Sequence, residues 1–210
     1  DPNSVRPKGY MQIATDLFPY LEGVKGLTDT DWQDAIFRTA MTTGHNISLS
    51  GKSNSVNYFV SGNYMKKEGT IIGSDFEKFG ARMNLSGQHK RLKFGVNFAA
   101  SYSVSNTVDA SGAGGIVQSA LMMPPTFPVY NADGSYNFQG NGYWRIGTDY
   151  EHNEVMNPVA MARLQSNVTD RMSITGKAFA ELELMKGLSY KLSLGGDYYG
   201  AHNDQYRQSA

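Results

Sequence analysis

The 210-residue sequence contains no cysteine, which excludes disulfide frameworks, thiolate metal sites and cysteine nucleophiles. It has no surplus of either charge: 19 basic and 19 acidic residues cancel, so whole-chain electrostatics give no reason to expect nucleic acid as a partner. Charge itself is sparse, at 18% of residues against roughly 25% in ordinary domains, yet the mean hydropathy is negative. No segment reaches the ~18 consecutive apolar residues of a membrane helix. That absence says nothing about spanning strands, which need only about 9–11 residues with alternate positions apolar. The opening Asp1-Pro2-Asn3 shows no secretion-signal pattern and reads as an internal stretch.

Uncharged polar residues fill the gap, with 23 Gly and 13 Tyr against 2 Trp. The mixture suits β-structure with one wet face. Period-two alternation then runs through long segments. In Leu92–Val104, Leu92, Phe94, Val96, Phe98, Ala100, Tyr102 and Val104 oppose Lys93, Gly95, Asn97, Ala99, Ser101 and Ser103. Successive strand side chains point to opposite faces, so this pattern separates apolar from polar. The same holds for His45–Ser50, Val56–Tyr64, Lys78–Gly87, Met172–Leu184 and Leu188–Tyr198, which makes six strand candidates. Several are about twice the 5–6 residues of an average soluble strand. A strand of that length, tilted near 45°, crosses the apolar band of an outer membrane.

The links between candidates alternate in length. Gly51–Ser55, Gln88–Arg91 and Met185–Gly187 are short; Lys66–Phe76 is longer, and the stretch from Ser105 to about Arg171 is very long. In an antiparallel meander every second link lies on the same side. Short turns therefore gather at one end and long loops at the other, as in outer-membrane barrels with tight periplasmic turns. The long link has a helical pattern at Gly114–Met123, ended by Pro124-Pro125, and a turn at Asn131-Ala132-Asp133-Gly134. Residues Asp1–Thr43 read as another outer loop with a helical piece near Trp32–Phe37. Six strands cannot close a membrane barrel, which needs at least ~8, so a larger barrel is expected. The expected division is 1–44 outer loop, 45–104 strands, 105–160 long outer loop and 161–200 strands, with no plug domain in these residues.

Motifs that carry chemistry are weak. Gly51-Lys52-Ser53 resembles a phosphate loop, but the required earlier glycine is Asn46 and a strand, not a helix, follows. Asp29, Asp31 and Asp34 resemble a calcium loop, but Asp34 and Ala40 stand where Gly and Glu are required. His45, His89, His152 and His202 are scattered, and no metal or catalytic site is expected. Glu181 and Glu183 share a strand face and read as residues of a wet lumen rather than a glycosidase pair. No enzyme and no cofactor is expected. Tyr64, Tyr102, Tyr190 and Tyr198 on the apolar faces read as membrane-interface residues. In the long link, Tyr143, Trp144, Arg145 and Asp149 combine flat aromatic faces with polar groups and are the candidate ligand contacts. Packing within the loop, or contact with a covering protein, is the competing reading.

The run Thr30–Thr39, then His45-Asn46-Ile47-Ser48-Leu49-Ser50-Gly51, Asn57–Tyr64, Glu68-Gly69, Ser74-Asp75-Phe76 and Arg82-Met83-Asn84-Leu85 closely resembles SusC/RagA-type TonB-linked barrels. Met123–Tyr130 with Asn131–Tyr136 resembles the loop that follows, and Asn157-Pro158-Val159-Ala160 resembles the approach to the next strand. The resemblance runs from about Asp29 to Tyr199. It implies an all-β, antiparallel transmembrane barrel of about 22 strands, a plug and TonB box outside these residues, and a SusD-like surface lipoprotein as lid. It also implies the outer membrane of a Bacteroides-type Gram-negative cell as location, with lipid, the TonB complex and an oligosaccharide or peptide substrate as partners. TonB-dependent import of nutrient oligomers is therefore the expected function. A passive outer-membrane channel and a soluble glycan-binding β-sandwich are the alternatives.

Overall fold

The computed structural model describes residues 18–112, 114–138 and 156–207. The chain divides into two compact units, one from residues 1–38 and 108–165, the other from residues 39–107 and 166–210.

The second unit is a six-stranded antiparallel sheet in chain order: β1 (Thr42–Ser53), β2 (Val56–Glu68), β3 (Asp75–His89), β4 (Leu92–Asn106), β5 (Gln165–Met185) and β6 (Leu188–Arg207). The six alternating segments become the six strands, each 12 to 21 residues long. β2, β4, β5 and β6 extend past the alternation mainly at the end with the long links, whereas β1 and β3 gain residues at both ends. The pattern in β2 fades after Tyr64, yet Lys66, Lys67 and Glu68 still pair with Glu77, Phe76 and Asp75. Backbone hydrogen bonds continue where the side chains have turned polar on both faces.

The tight links are two residues each. Lys90 takes the left-handed region at φ 52, and Gly187 does so at φ 87. Non-glycine residues lose roughly 1–2 kcal/mol there, so Gly187→Ala is expected to destabilise the refolded full-length barrel by about 1 kcal/mol, read as a lower urea midpoint. The link from β2 to β3 is pinned by Asn106, whose amide donates to the Gly73 carbonyl at 2.8 Å.

One face of the sheet is apolar and uncovered: Ile47 is 80% exposed, Leu49 64% and Leu194 68%. A soluble β-sandwich would bury these side chains against a second sheet, and among the described residues no second sheet exists. Such a continuous apolar surface fits lipid, not water. The edges of β1 and β6 cannot face hydrocarbon unpaired, so closure requires further strands.

The first unit holds α1 (Phe18–Leu21), α2 (Trp32–Ile36), α3 (Ile116–Met122) and α4 (Pro158–Leu164). Helical pieces at Trp32–Phe37 and Gly114–Met123 match α2 and α3. The expected boundary at residue 161 is corrected: residues 158–164 are helical, and the strand starts at Gln165. The cause is local. Asn157 caps the helix by accepting from the Val159 and Ala160 amides, and Pro158 at the first turn has φ preset for a helix. The core of this unit is Trp32, Ile36, Ile116, Ala120, Met123 and residues 159–162, all buried.

Candidate functional site

The register settles which side chains share a face. Thr42 pairs with Lys67, Phe76 with Lys67 and Ser105, and Ser105 with Thr169; successive rows two residues apart run to Gln88, Lys93 and Glu181. This face is polar. Its best-defined cluster sits on three strands. Glu181 lies 3.7 Å from the Lys93 ammonium and 3.6 Å from that of Lys191. Lys191 also lies 4.7 Å above the Phe179 ring. Phe179 lies over the backbone of Gly95, where any side chain would strike the ring. The lysines are about half exposed, so these ion pairs contribute little stability. They keep the wall charged and hydrated.

The opposite face carries apolar rows. One row joins His45, Tyr64, Phe79, Tyr102 and Met172. Tyr64 and Phe79 rings are 5.0 Å apart, and His45 stacks on Tyr64 at 6.3 Å. Both tyrosine hydroxyls point toward the end with the long links: Tyr102 donates to Asp170 at 3.2 Å, and Tyr64 to Glu77 at 3.5 Å. Two residues further out, Lys66 pairs with Glu77 at 3.2 Å. Aromatic rings with hydroxyls turned to a charged rim are what a lipid–water boundary selects. Tyr190 and Tyr198 are also exposed on β6. A shallow depression over Gly176 and Gly196, between Phe98 and Leu194, belongs to this apolar face.

In the loop-derived unit, Asn157 is fully buried. Its amide donates to the carbonyls of Val129 at 2.9 Å and Asn137 at 3.0 Å. Trp32 donates from its indole nitrogen to the Pro124 carbonyl at 2.9 Å, and the Thr30 hydroxyl donates to the Phe127 carbonyl at 2.7 Å. The segment before β1 is thus tied to the segment after β4. The expected turn at Asn131–Gly134 forms, with Gly134 at φ 85. Asp133 accepts from the Ser135 hydroxyl and amide, which hold its carboxyl below the usual carboxylate range. Tyr130 and Tyr136 lie 5.3 Å apart across an isolated bridge. Burial, then Tyr130, pushes the Tyr136 hydroxyl up.

The candidate ligand residues Tyr143, Trp144, Arg145 and Asp149 lie outside the described residues. Asp31, one of the acids resembling a calcium loop, caps α2 by accepting from the Gln33 and Asp34 amides. Gly51-Lys52-Ser53 ends β1. Among the described residues no three His, Asp or Glu converge as a metal site. Sequence reasoning missed Asn203, whose amide donates to Asn167 at 2.7 Å and Thr169 at 2.8 Å. It also missed Asn157, although the Asn-Pro helix start was there to read.

A single antiparallel sheet with a charged wall, a bare apolar face bounded by tyrosines and one-sided tight turns defines a segment of an outer-membrane β-barrel. No family model matches the chain. It is 31% identical over 194 residues to TonB-dependent receptor P3 of Formosa agariphila, covering 88% of this chain and 18% of that protein. It is 31% identical over 189 residues to TonB-dependent receptor SusC of Bacteroides thetaiotaomicron, covering 82% of this chain and 18% of that one. The fold matches a solved structure of the RagAB peptide importer in the closed-closed state, with a TM-score of 0.64 and 22% identity, covering 92% of this chain and 22% of that chain. The chain belongs to the SusC/RagA family of TonB-linked outer-membrane proteins, and it spans about a fifth of the length of the relatives it matches. Its place is the outer membrane.

Proposed function

We propose that this segment is part of the wall of a TonB-dependent importer of nutrient oligomers, glycans first and peptides second. The observation that carries the reading is the two-faced sheet: a charged, hydrated wall set back to back with a lipid-facing surface. A wide polar lumen suits cargo too large and too hydrophilic for the bilayer. In this reading residues 1–44 and 105–160 are outer loops that meet cargo and a SusD-like lipoprotein. A plug outside these residues moves when pulled from the periplasm by the TonB complex. The similarity to TonB-dependent receptors supports energy coupling, and the likeness to a peptide importer keeps peptides in view.

The test is uptake of labelled oligosaccharides and peptides by cells expressing the full-length gene, with and without a protonophore. Uptake that stops when the proton gradient collapses is the expected result. Uptake unaffected by the protonophore points to a passive channel instead. Within the outer loop, Tyr143, Trp144, Arg145 and Asp149 are proposed to touch cargo. Trp144→Ala is expected to weaken cargo binding by roughly fivefold or more, as loss of one stacked aromatic does. Unchanged affinity and uptake for all four alanine variants would remove them from the site.

A further inference from the structure

The chain as a whole is neutral, but its two sheet faces are not. Across the paired rows of β1–β5, the charges on the apolar side are Lys66, Glu68, Asp75, Glu77 and Asp170, all beyond the tyrosine row. The polar face carries the reverse sign. Lys93 is compensated there by Glu181. Apart from that cluster, the paired rows hold Lys52, Lys67, Lys78, Arg82, Arg171 and Lys177 and no carboxylate. Strand β6 adds Lys191, Arg207 and Asp197 by alternation, and Glu183 lies past the last paired row. Among the described residues Lys78, Arg82, Arg171 and Lys177 take part in no ion pair.

Their placement is regular. Lys78 and Arg171 share one row, with Ser103 between them, so their backbones lie ~10 Å apart, two strand spacings. Arg82 and Thr175 share another row through Ala99, and Lys177 stands one row beyond, beside Asn97 and Asn84. Cations on a lumen wall therefore alternate with hydroxyl and amide groups. Cations with no ion-pair partner among the described residues raise the local concentration of anions where this wall meets water. The interleaved Ser and Asn side chains give donors and acceptors for a hydroxyl-dense chain.

We propose that this wall selects anionic oligosaccharides, those bearing carboxylate or sulfate, over neutral ones. The proposal deepens the importer reading and rests on it. Its test uses the purified full-length protein with its lipoprotein, and matched hexamers: galacturonate, sulfated maltohexaose and neutral maltohexaose. The anionic hexamers are expected to bind more tightly, and to lose that advantage as salt rises from about 50 to about 300 mM. Replacing Lys78, Arg82, Arg171 and Lys177 together by Gln is expected to weaken their binding on the order of tenfold, four exposed ion pairs each worth about a factor of two. Neutral maltohexaose should be unaffected, and heat-modified gel migration checks that the barrel has formed. Glu181→Gln frees Lys93 and Lys191 and is expected to tighten anion binding, which a merely structural role would not produce. Equal or absent binding of both anionic hexamers overturns the proposal. Binding of an acidic hexapeptide without either of them overturns the assignment to glycans. Proton-gradient-dependent uptake of neutral but not anionic hexamers leaves import standing and removes the charge selection. Anion binding without any energised uptake would instead bring down the importer reading.

Discussion

Val60→Arg in the full-length protein is expected to destabilise the folded barrel by about 2–4 kcal/mol, the cost of an arginine near the bilayer midplane. Val60 lies in the row Leu49–Val60–Met83–Phe98–Gly176. That row sits four residues inward of Tyr64 and four from the start of β2, well inside the apolar band. Its neighbour Ser61 faces the other way, in a row with Arg82 and Thr175. Ser61→Arg should change stability by no more than about 0.5 kcal/mol, as surface substitutions do. Urea titration of both variants refolded into phospholipid vesicles compares the two. A larger loss for Ser61→Arg would mean that the faces have been assigned to the wrong solvents, and equal losses that the two faces do not differ in solvent.

Asn157→Ala is the second large effect. The side chain is buried, caps α4 through two amides, and donates to two carbonyls twenty or more positions back in the chain. Loss of a cap costs about 1 kcal/mol, and loss of each buried amide hydrogen bond about 1 kcal/mol more. A local loss of about 3 kcal/mol is expected in the loop-derived unit. Hydrogen exchange at the amides of Val159 and Ala160 should speed accordingly, while the strand amides of β2 and β3 keep their protection. Asn157→Asp retains the cap but sets a buried carboxylate oxygen against the Val129 and Asn137 carbonyls, so it should lose at least as much as the alanine variant. Unchanged exchange at these amides in both variants would show that Asn157 does not hold the unit together.

How much of this was legible in the sequence follows from where side chains alternate. Six strands, three tight links and the two faces could be read because lipid on one side and water on the other impose a strict period of two. The strand ends could not. Beyond Tyr64 in β2, and over Gln165–Asp170 in β5, both faces meet water, and hydrogen-bonded backbone carries the strand without a side-chain signature. The pairing of β5 with β4 bridges the longest link in the chain, so the Lys93–Glu181–Lys191 cluster needed three dimensions. So did Asn157, whose carbonyl partners at Val129 and Asn137 have no pattern that marks them. The helix start at Asn157-Pro158 was legible, but the resemblance to a strand approach obscured it.

The hydrogen bond from Trp32 to Pro124 spans 92 positions, and β1 to β4 lie between its ends. The small core around Trp32, Ile36 and Ile116 therefore draws on chain made before the first of these strands and chain made after the fourth. Trp32 and Ile36 cannot be covered until the later half is in place. Formation of this core has a long loop to close, which slows it relative to the hairpins between. A chain cut after β4 would leave Trp32 and Ile36 without Ile116, Ala120 and Met123, and so with no core to join.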